Sequence, residues 1–296
     1  MTAPLLVALP GNELLAARLA ALCGAEIASA QFRRFPDEES YVRIDTAVSG
    51  RSVVLVCTLD RPDGKFLPLA FAAAALRELG ARRIGLIAPY LAYLRQDRRF
   101  NPGEAVTSRS FATLISGAVD WLVTVDPHLH RLSALSSVYG VPTQSLHAAP
   151  LLAHWIEEGV ESPLLVGPDA ESAQWVGEVA ALAHAPYVIL EKTRRGDREV
   201  SVSIPEVEHW RDRTPVLVDD IVSSARTMIA TLSHLAHARL KPAICIAVHA
   251  VFAPGAYEAL GSAGPSRIVT TNTIVHQSNA IDVAGILARA MAEFAK

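Results

Sequence analysis

The chain of 296 residues carries a formal net charge of −3, is 51% hydrophobic and 19% charged. That length suits one large domain or two of about 150 residues, and the apolar content excludes a disordered chain. With 27 Lys and Arg against 30 Asp and Glu, no basic excess exists to neutralise a phosphate backbone, which excludes a general nucleic-acid binder.

Apolar runs at 5–9, 53–57, 84–88, 122–125, 164–166, 187–190, 215–218, 243–249 and 268–271 are bounded by Gly, Pro, Asp or Asn. Continuous runs of this kind are what strands buried on both faces require. Helical windows at 13–22, 66–79, 108–117, 151–158, 172–183 and 227–238 separate them. The alternation predicts an α/β protein whose mostly parallel sheets are flanked by helices. Two such halves fit the length, with a boundary near 140–143 and a last helix over 281–294 able to pack on either half. No stretch reaches the ~18 apolar residues of a membrane span. The apolar run near the amino terminus lacks the basic flank and length of a signal peptide. Cys23, Cys57 and Cys245 are widely spaced and sit in or beside apolar stretches. They are expected as buried free thiols in a reducing compartment, which makes a cytoplasmic protein the expectation.

Ligands of open α/β sheets bind beyond the carboxyl ends of strands. The polar residues that close the apolar runs are therefore the candidates: Tyr90 after Pro89, His128 after Asp126, Asp169 after Pro168, and the pair Asp219 and Asp220. The pair opens the most informative stretch. Four apolar residues lead to two carboxylates, then to the small, hydroxyl-rich turn Ser223, Ser224, Ala225, Arg226, Thr227, then to a helical window. Hydroxyls and backbone N–H groups at a helix amino terminus suit a phosphate, and carboxylates beside them suit sugar hydroxyls. The plainer reading is a strand, a turn and a helix that Ser or Thr merely caps. Only four of the 27 basic residues are lysines, so Lys192, inside the cluster 192–198, is conspicuous.

These residues resemble a known family. Asp219-Asp220-Ile221 with its Ser/Thr turn is similar to the phosphoribosyl-pyrophosphate loop of type I phosphoribosyltransferase folds. The wider chain resembles a ribose-phosphate pyrophosphokinase (phosphoribosyl pyrophosphate synthetase). Phe35-Pro36-Asp37-Glu38-Glu39 is similar to the family's F-x-D-G-E, and the stretch from Pro89 to Arg98 to its P-Y-x-x-Y-x-R-Q-D-(K/R). Asp126-Pro127-His128 resembles D-x-H, Gly167-Pro168-Asp169-Ala170 resembles P-D-A-G, Lys192-Thr193-Arg194 resembles K-x-R, and Thr271-Asn272-Thr273-Ile274 resembles T-N-T-(I/L). Each motif is weak singly; six in order are strong.

The resemblance implies two similar phosphoribosyltransferase-like domains. The first, 1–143, would contact ATP, with a helix at 281–296 packing there; the second, 144–280, would bind ribose 5-phosphate. It implies transfer of the diphosphoryl group of ATP to the 1-hydroxyl of ribose 5-phosphate, with Mg²⁺. Such a transfer needs in-line positioning and cations on developing charge more than covalent chemistry. Lys192 falls on the family's catalytic lysine, with Arg194 beside it; in an extended segment both would face one side. By composition 192–198 also reads as a solvated loop, mobile until substrate arrives. Phe35 would stack on adenine, Asp37 and Glu39 would accept from its amine, and Arg95 and Gln96 would reach the nucleotide. Arg194, Asp219, Asp220 and 223–227 would hold the sugar phosphate, and His128 and Asp169 the metal. A homo-oligomer is also implied, because ATP sites in the family span subunits.

Four places in the chain depart from the pattern. Glu38 stands for a glycine and implies an ordinary φ there. Glu171 with Ser172 stands for small residues, Ser223 for an aspartate of many members, and Arg226 for a glycine in the phosphate turn, where its fork also suits phosphate oxygens. Glu38, Glu171 and Arg226 leave one rival, a catalytically silent, synthetase-associated regulatory paralogue; the shared phosphate turn leaves another, a phosphoribosyltransferase, which would need neither 35–39 nor 95–97.

Overall fold

The computed structural model describes residues 4–129, 131–168, 172–195, 199–203 and 207–294, with backbone alone at 174, 191–195, 199–203 and 207–208. It divides into two compact units, one of Met1–Leu146 with Val283–Lys296, the other of His147–Asp282.

The first unit runs β1 (Leu5–Ala8), α1 (Glu13–Cys23), β2 (Glu26–Ile27), β3 (Ala30–Arg34), β4 (Ser40–Ile44), β5 (Ser52–Val56), α2 (Asp63–Glu78), β6 (Arg83–Ala88), α3 (Thr107–Ala118), β7 (Trp121–Val125) and β8 (Thr143–Leu146). Its sheet has the order β2-β1-β5-β6-β7-β8 and every pairing is parallel. Leu5, Leu6 and Val7 are all fully buried, as are Val53 through Val56, so neighbouring side chains on opposite faces are both covered. The unit ends at Leu146 because 143–146 is still an edge strand, in register with β7 from Leu122↔Thr143 to Val125↔Leu146.

The second unit runs α4 (Ala149–Gly159), β9 (Pro163–Gly167), α5 (Ala173–Leu182), β10 (Tyr187–Ile189), β11 (Glu191–Arg195), β12 (Glu199–Ser203), β13 (Thr214–Val222), α6 (Arg226–His237), β14 (Ile244–Ala250), α7 (Ala256–Ser262), β15 (Arg267–Thr271) and β16 (Asn279–Ile281). Its parallel sheet has the order β10-β9-β13-β14-β15-β16, which repeats the first unit strand for strand. Each unit also inserts an antiparallel hairpin between its second and third sheet strands, β3–β4 in one and β11–β12 in the other. The two units are thus one topology used twice.

Three expectations change. The last helix is α8 (Ala284–Phe294), because residue 281 closes β16 and pairs with Thr271. The expected loop at 192–198 is strand through Arg195, with Lys192 opposite Val202 and Arg194 opposite Val200. Strand β13 does not stop before its carboxylates: Asp219 pairs with Ala247 and Val222 with Ala250, so the ladder carries both acids within the strand.

Helix α8 returns to the first unit. It buries Leu287, Ala288 and Met291, and its Phe294 ring stacks on Trp121 at 4.8 Å and 14°. Cys23 is half-buried beside it, its Sγ 3.5 Å from the Ala288 carbonyl, whereas Cys57 and Cys245 are buried and burial pushes both thiols up to about 12. Trp121 is 2% exposed and lies across Gly85 of β6, where a Cβ would meet the indole at 2.0 Å. Only glycine permits that approach. Replacing Gly85 with Ala overpacks the site and is expected to cost about 1–3 kcal/mol. The readout is a lowered thermal midpoint with altered tryptophan emission; an unchanged midpoint would contradict this packing.

Candidate functional site

The candidate residues of the first unit hang from the carboxyl ends of its parallel strands. Strand β6 delivers Pro89 and Tyr90, whose carbonyls accept from Val125 N (3.2 Å) and Leu59 N (2.9 Å). Tyr93 follows in a left-handed conformation, φ 59°. Its ring packs 4.7 Å from that of Phe111, and its hydroxyl donates to the Asp63 carboxylate in the first turn of α2. That hydrogen bond, with partial burial and the Asp63 charge, raises the Tyr93 phenol above the usual range. Arg95 then points to solvent and Gln96 is half-buried, its carbonyl accepting from Ser108 N at 3.3 Å. Asp97 is 8% exposed and takes Arg131 Nη1 on both carboxylate oxygens, at 3.0 and 3.2 Å. Although 95–99 carries three arginines, its aspartate is buried. Glu104 closes the segment by accepting from Phe100 N, Asn101 N and Asn101 Nδ2, which holds its carboxyl below the usual range.

Phe35, Asp37 and Glu39 form the tip of the β3–β4 hairpin. Phe35 N donates to the Glu39 carbonyl (2.8 Å), Glu38 N to the Phe35 carbonyl (2.9 Å), and Glu39 N to Asp37 Oδ1 (3.3 Å). This turn sets Glu38 at φ 70°, so the ordinary φ expected there is wrong. The glutamate keeps the backbone shape that a glycine would adopt freely, at a steric cost. Phe35 is 40% exposed, and the Arg33 guanidinium covers it at 4.6 Å and Tyr41 at 3.9 Å. Arg34 ties the tip down, Nη1 to the Glu38 carbonyl (3.3 Å) and Nη2 to the Gly64 carbonyl (3.5 Å). Hairpin and loop therefore share one anchor, the first turn of α2. Lys65 sits in the same turn, where it pairs with Asp60 and donates to the Thr58 carbonyl at 3.0 Å.

Beyond β7, Asp126 is buried at φ 34° with its N–H on the Leu146 carbonyl (2.8 Å), and His128 follows half-buried. A separate cavity of about 200 Å³ lies between α2 and α3, lined by Pro62, Phe66, Tyr93, Phe111 and Leu114 among others. None of the nucleotide candidates Phe35, Asp37, Glu39, Arg95 or Gln96 lines it.

In the second unit Asp219 and Asp220 are half-buried, with Asp220 N donating to Asp219 Oδ1 at 3.0 Å. Ser223 and Ser224 follow, and then Ala225, the residue that caps α6, at φ 58° and ψ 3°. An alanine has no side-chain oxygen to give the first-turn N–H groups, so the plain reading of a Ser- or Thr-capped helix fails here. The left-handed position is Ala225 and not Arg226, which is the first helical residue and exposed, as is Thr227. A glycine at 226 is not needed for the turn. Gly167, at the end of β9, is approached closely: a Cβ there would lie 2.5 Å from Ile189 Cδ1 and 2.8 Å from Ser172 Oγ. Asp169 and Glu171 lie outside the described residues. Lys192 and Arg194 are placed by backbone alone, in β11. The phosphate-turn residues 219–227 thus form one continuous strand–turn–helix, while Arg194 stands on a separate hairpin. Sequence reasoning passed over Arg131, Arg33 and Tyr41; Arg131 lies three residues beyond His128, and its partner is distant in the chain.

A family model for the N-terminal domain of ribose phosphate pyrophosphokinase matches residues 5–118, and one for the phosphoribosyl transferase domain matches 142–284. The ribose-phosphate pyrophosphokinase of Sulfurisphaera tokodaii is 33% identical over 273 residues, 90% of this chain and 92% of that one. The ribose-phosphate pyrophosphokinase of Methanopyrus kandleri is 34% identical over 277 residues, 93% of this chain and 94% of that one. The chain belongs to the ribose-phosphate pyrophosphokinase family. Its fold is also that of phosphoribosylpyrophosphate synthetase from Mycobacterium smegmatis, with a TM-score of 0.85, 24% identity and 99% of each chain covered. Within this family the departure at Glu38 has a measurable cost. Glu38→Gly relieves the left-handed position and is expected to raise stability by up to about 1 kcal/mol. Chemical denaturation of the two proteins checks this; a less stable variant would show that the Glu38 side chain compensates.

Proposed function

We propose that the chain transfers the β,γ-diphosphoryl group of ATP to the 1-hydroxyl of ribose 5-phosphate. The hydroxyl oxygen bonds to the β-phosphorus, the bond from that phosphorus to the α-phosphate oxygen breaks, and AMP leaves beside phosphoribosyl pyrophosphate. Family membership over nearly the whole chain carries this reading, since the relatives' length includes the N-terminal domain that a single-domain phosphoribosyltransferase lacks.

In this reading Phe35 stacks on adenine through the ring face opposite Arg33, Asp37 and Glu39 accept from its amine, and Arg95 and Gln96 reach the nucleotide. Asp219 and Asp220 accept from ribose hydroxyls. Ser223, Ser224, Ala225, Arg226 and Thr227 hold the 5-phosphate, supported by the alanine cap, which offers the start of α6 no side-chain acceptor of its own. Lys192 and Arg194 stabilise charge that develops during transfer, and Arg194 also binds the sugar phosphate. Among the described residues no three His, Cys, Asp or Glu side chains group as a metal cage. Mg²⁺ fits such a protein because it keeps its waters and is held by substrate phosphates with one or two protein donors. His128 and Asp169 would be those donors, and the ion would supply charge neutralisation of the phosphates. The reading includes a homo-oligomer in the cytoplasm; no helix among the described residues is long and apolar enough to cross a membrane.

The deciding assay combines the protein with ATP, Mg²⁺ and ribose 5-phosphate and follows AMP and phosphoribosyl pyrophosphate. Stoichiometric formation of both is expected. Ribose 5-phosphate binding without AMP release would mark a silent paralogue. Losing one preorganised charge donor typically costs ~10²–10³ in rate, so Lys192→Ala should lower kcat by that factor with an unchanged circular dichroism spectrum. Near-wild-type turnover would remove the role of Lys192. Chelation of Mg²⁺ should abolish turnover and restoration of the ion should return it.

A further inference from the structure

We propose that Asp97 and Arg131 form a positioning pair that holds the nucleotide-binding loop against the segment bearing His128. The inference rests on reading Arg95, Gln96 and His128 as groups that meet the nucleotide. Residues 97 and 131 are 34 apart in the chain and are joined by one contact, Arg131 Nη1 on both Asp97 oxygens at 3.0 and 3.2 Å. The two ends of the contact are unequal. The Asp97 side chain is 2% exposed and that of Arg131 47% exposed. A carboxylate removed from water stays charged only if it is paired and hydrogen-bonded, so the pair dictates where the backbone at Asp97 lies. Arg95 and Gln96 immediately precede that fixed point, and the Gln96 carbonyl is held on the other side by Ser108 N. Arg131 is itself braced, its guanidinium 5.5 Å from the Phe100 ring that Arg98 also covers at 5.1 Å. The loop is thus tied through Asp97, with the half-exposed Phe100 beside it, to the segment that follows the strand end carrying His128.

A pair that only stabilised the fold would leave nucleotide affinity untouched, which supplies the test. Arg131→Gln strands a charged Asp97, so the informative protein is the double variant Asp97→Asn/Arg131→Gln, which removes both charges together. Its thermal midpoint is expected within a few degrees of wild type, while KM for ATP rises at least tenfold and KM for ribose 5-phosphate changes less than twofold. Arg131→Lys, which keeps a charge for Asp97, should recover most of the ATP affinity. A folded double variant with a wild-type KM for ATP overturns the proposal. Arg95→Ala is assayed alongside. A raised KM there, beside an unaffected double variant, overturns the coupling and leaves the nucleotide reading standing; no effect at Arg95 overturns both.

Discussion

Every backbone N–H and C=O in the middle of β1, β5, β6 and β7 must find its partner on a parallel neighbour, because side chains on both faces of these strands are buried and water is excluded. Parallel strands cannot be joined by a tight turn; each connection has to cross over, here most often through a helix, and start again at the same edge. All strand exits are therefore collected along one edge of each sheet, and the candidate site residues lie in those exits. The same solution appears twice, with the same strand order and a hairpin inserted at the same point. In the first unit that hairpin carries Phe35, Asp37 and Glu39, and in the second Lys192 and Arg194.

Rigid strands position the start of each exit, but polar contacts fix the rest of it. The first turn of α2 is the common anchor in the first unit: Arg34 reaches the Gly64 carbonyl from the hairpin and Tyr93 reaches Asp63 from the loop after β6. Asp97 and Arg131 tie that loop to the exit of β7. Among the described residues five non-glycines with positive φ, Glu38, Arg61, Tyr93, Asp126 and Ala225, fall in these exits. Backbone held in a sparsely populated region persists only where its surroundings over-determine it, and such positions collect at functional sites.

The inner strands of both sheets were legible because burial on both faces writes itself as uninterrupted Val, Ile and Leu, whereas the short, half-exposed edge strands β2, β8 and β16 carry no such run. The hairpins were not, for the same reason inverted. The β3 residues Ala30–Arg34 lie largely exposed among charged neighbours, and β11 reads Glu-Lys-Thr-Arg-Arg, which no hydrophobic period can reveal. Strand β13 hid its length because two aspartates look like a strand end, although the ladder to β14 runs on through them. At Glu38 the residue type argued for one backbone shape and the hydrogen bonds of the turn imposed another. At the phosphate turn the special conformation lies at Ala225, one position before the residue whose type drew notice.

The order of motifs, from Phe35 through His128 and Lys192 to Asp219 and Thr227, is a property of the chain alone, because each motif is short, local and tied to a strand end. That order was enough to name the family. Whether an aspartate among arginines is solvated or buried is not local. Asp97 became an anchor only when folding carried Arg131, 34 residues away, to within 3.0 Å of it. Pairwise contacts between distant charges depend on where the strands place their exits, and only the tertiary structure decides that.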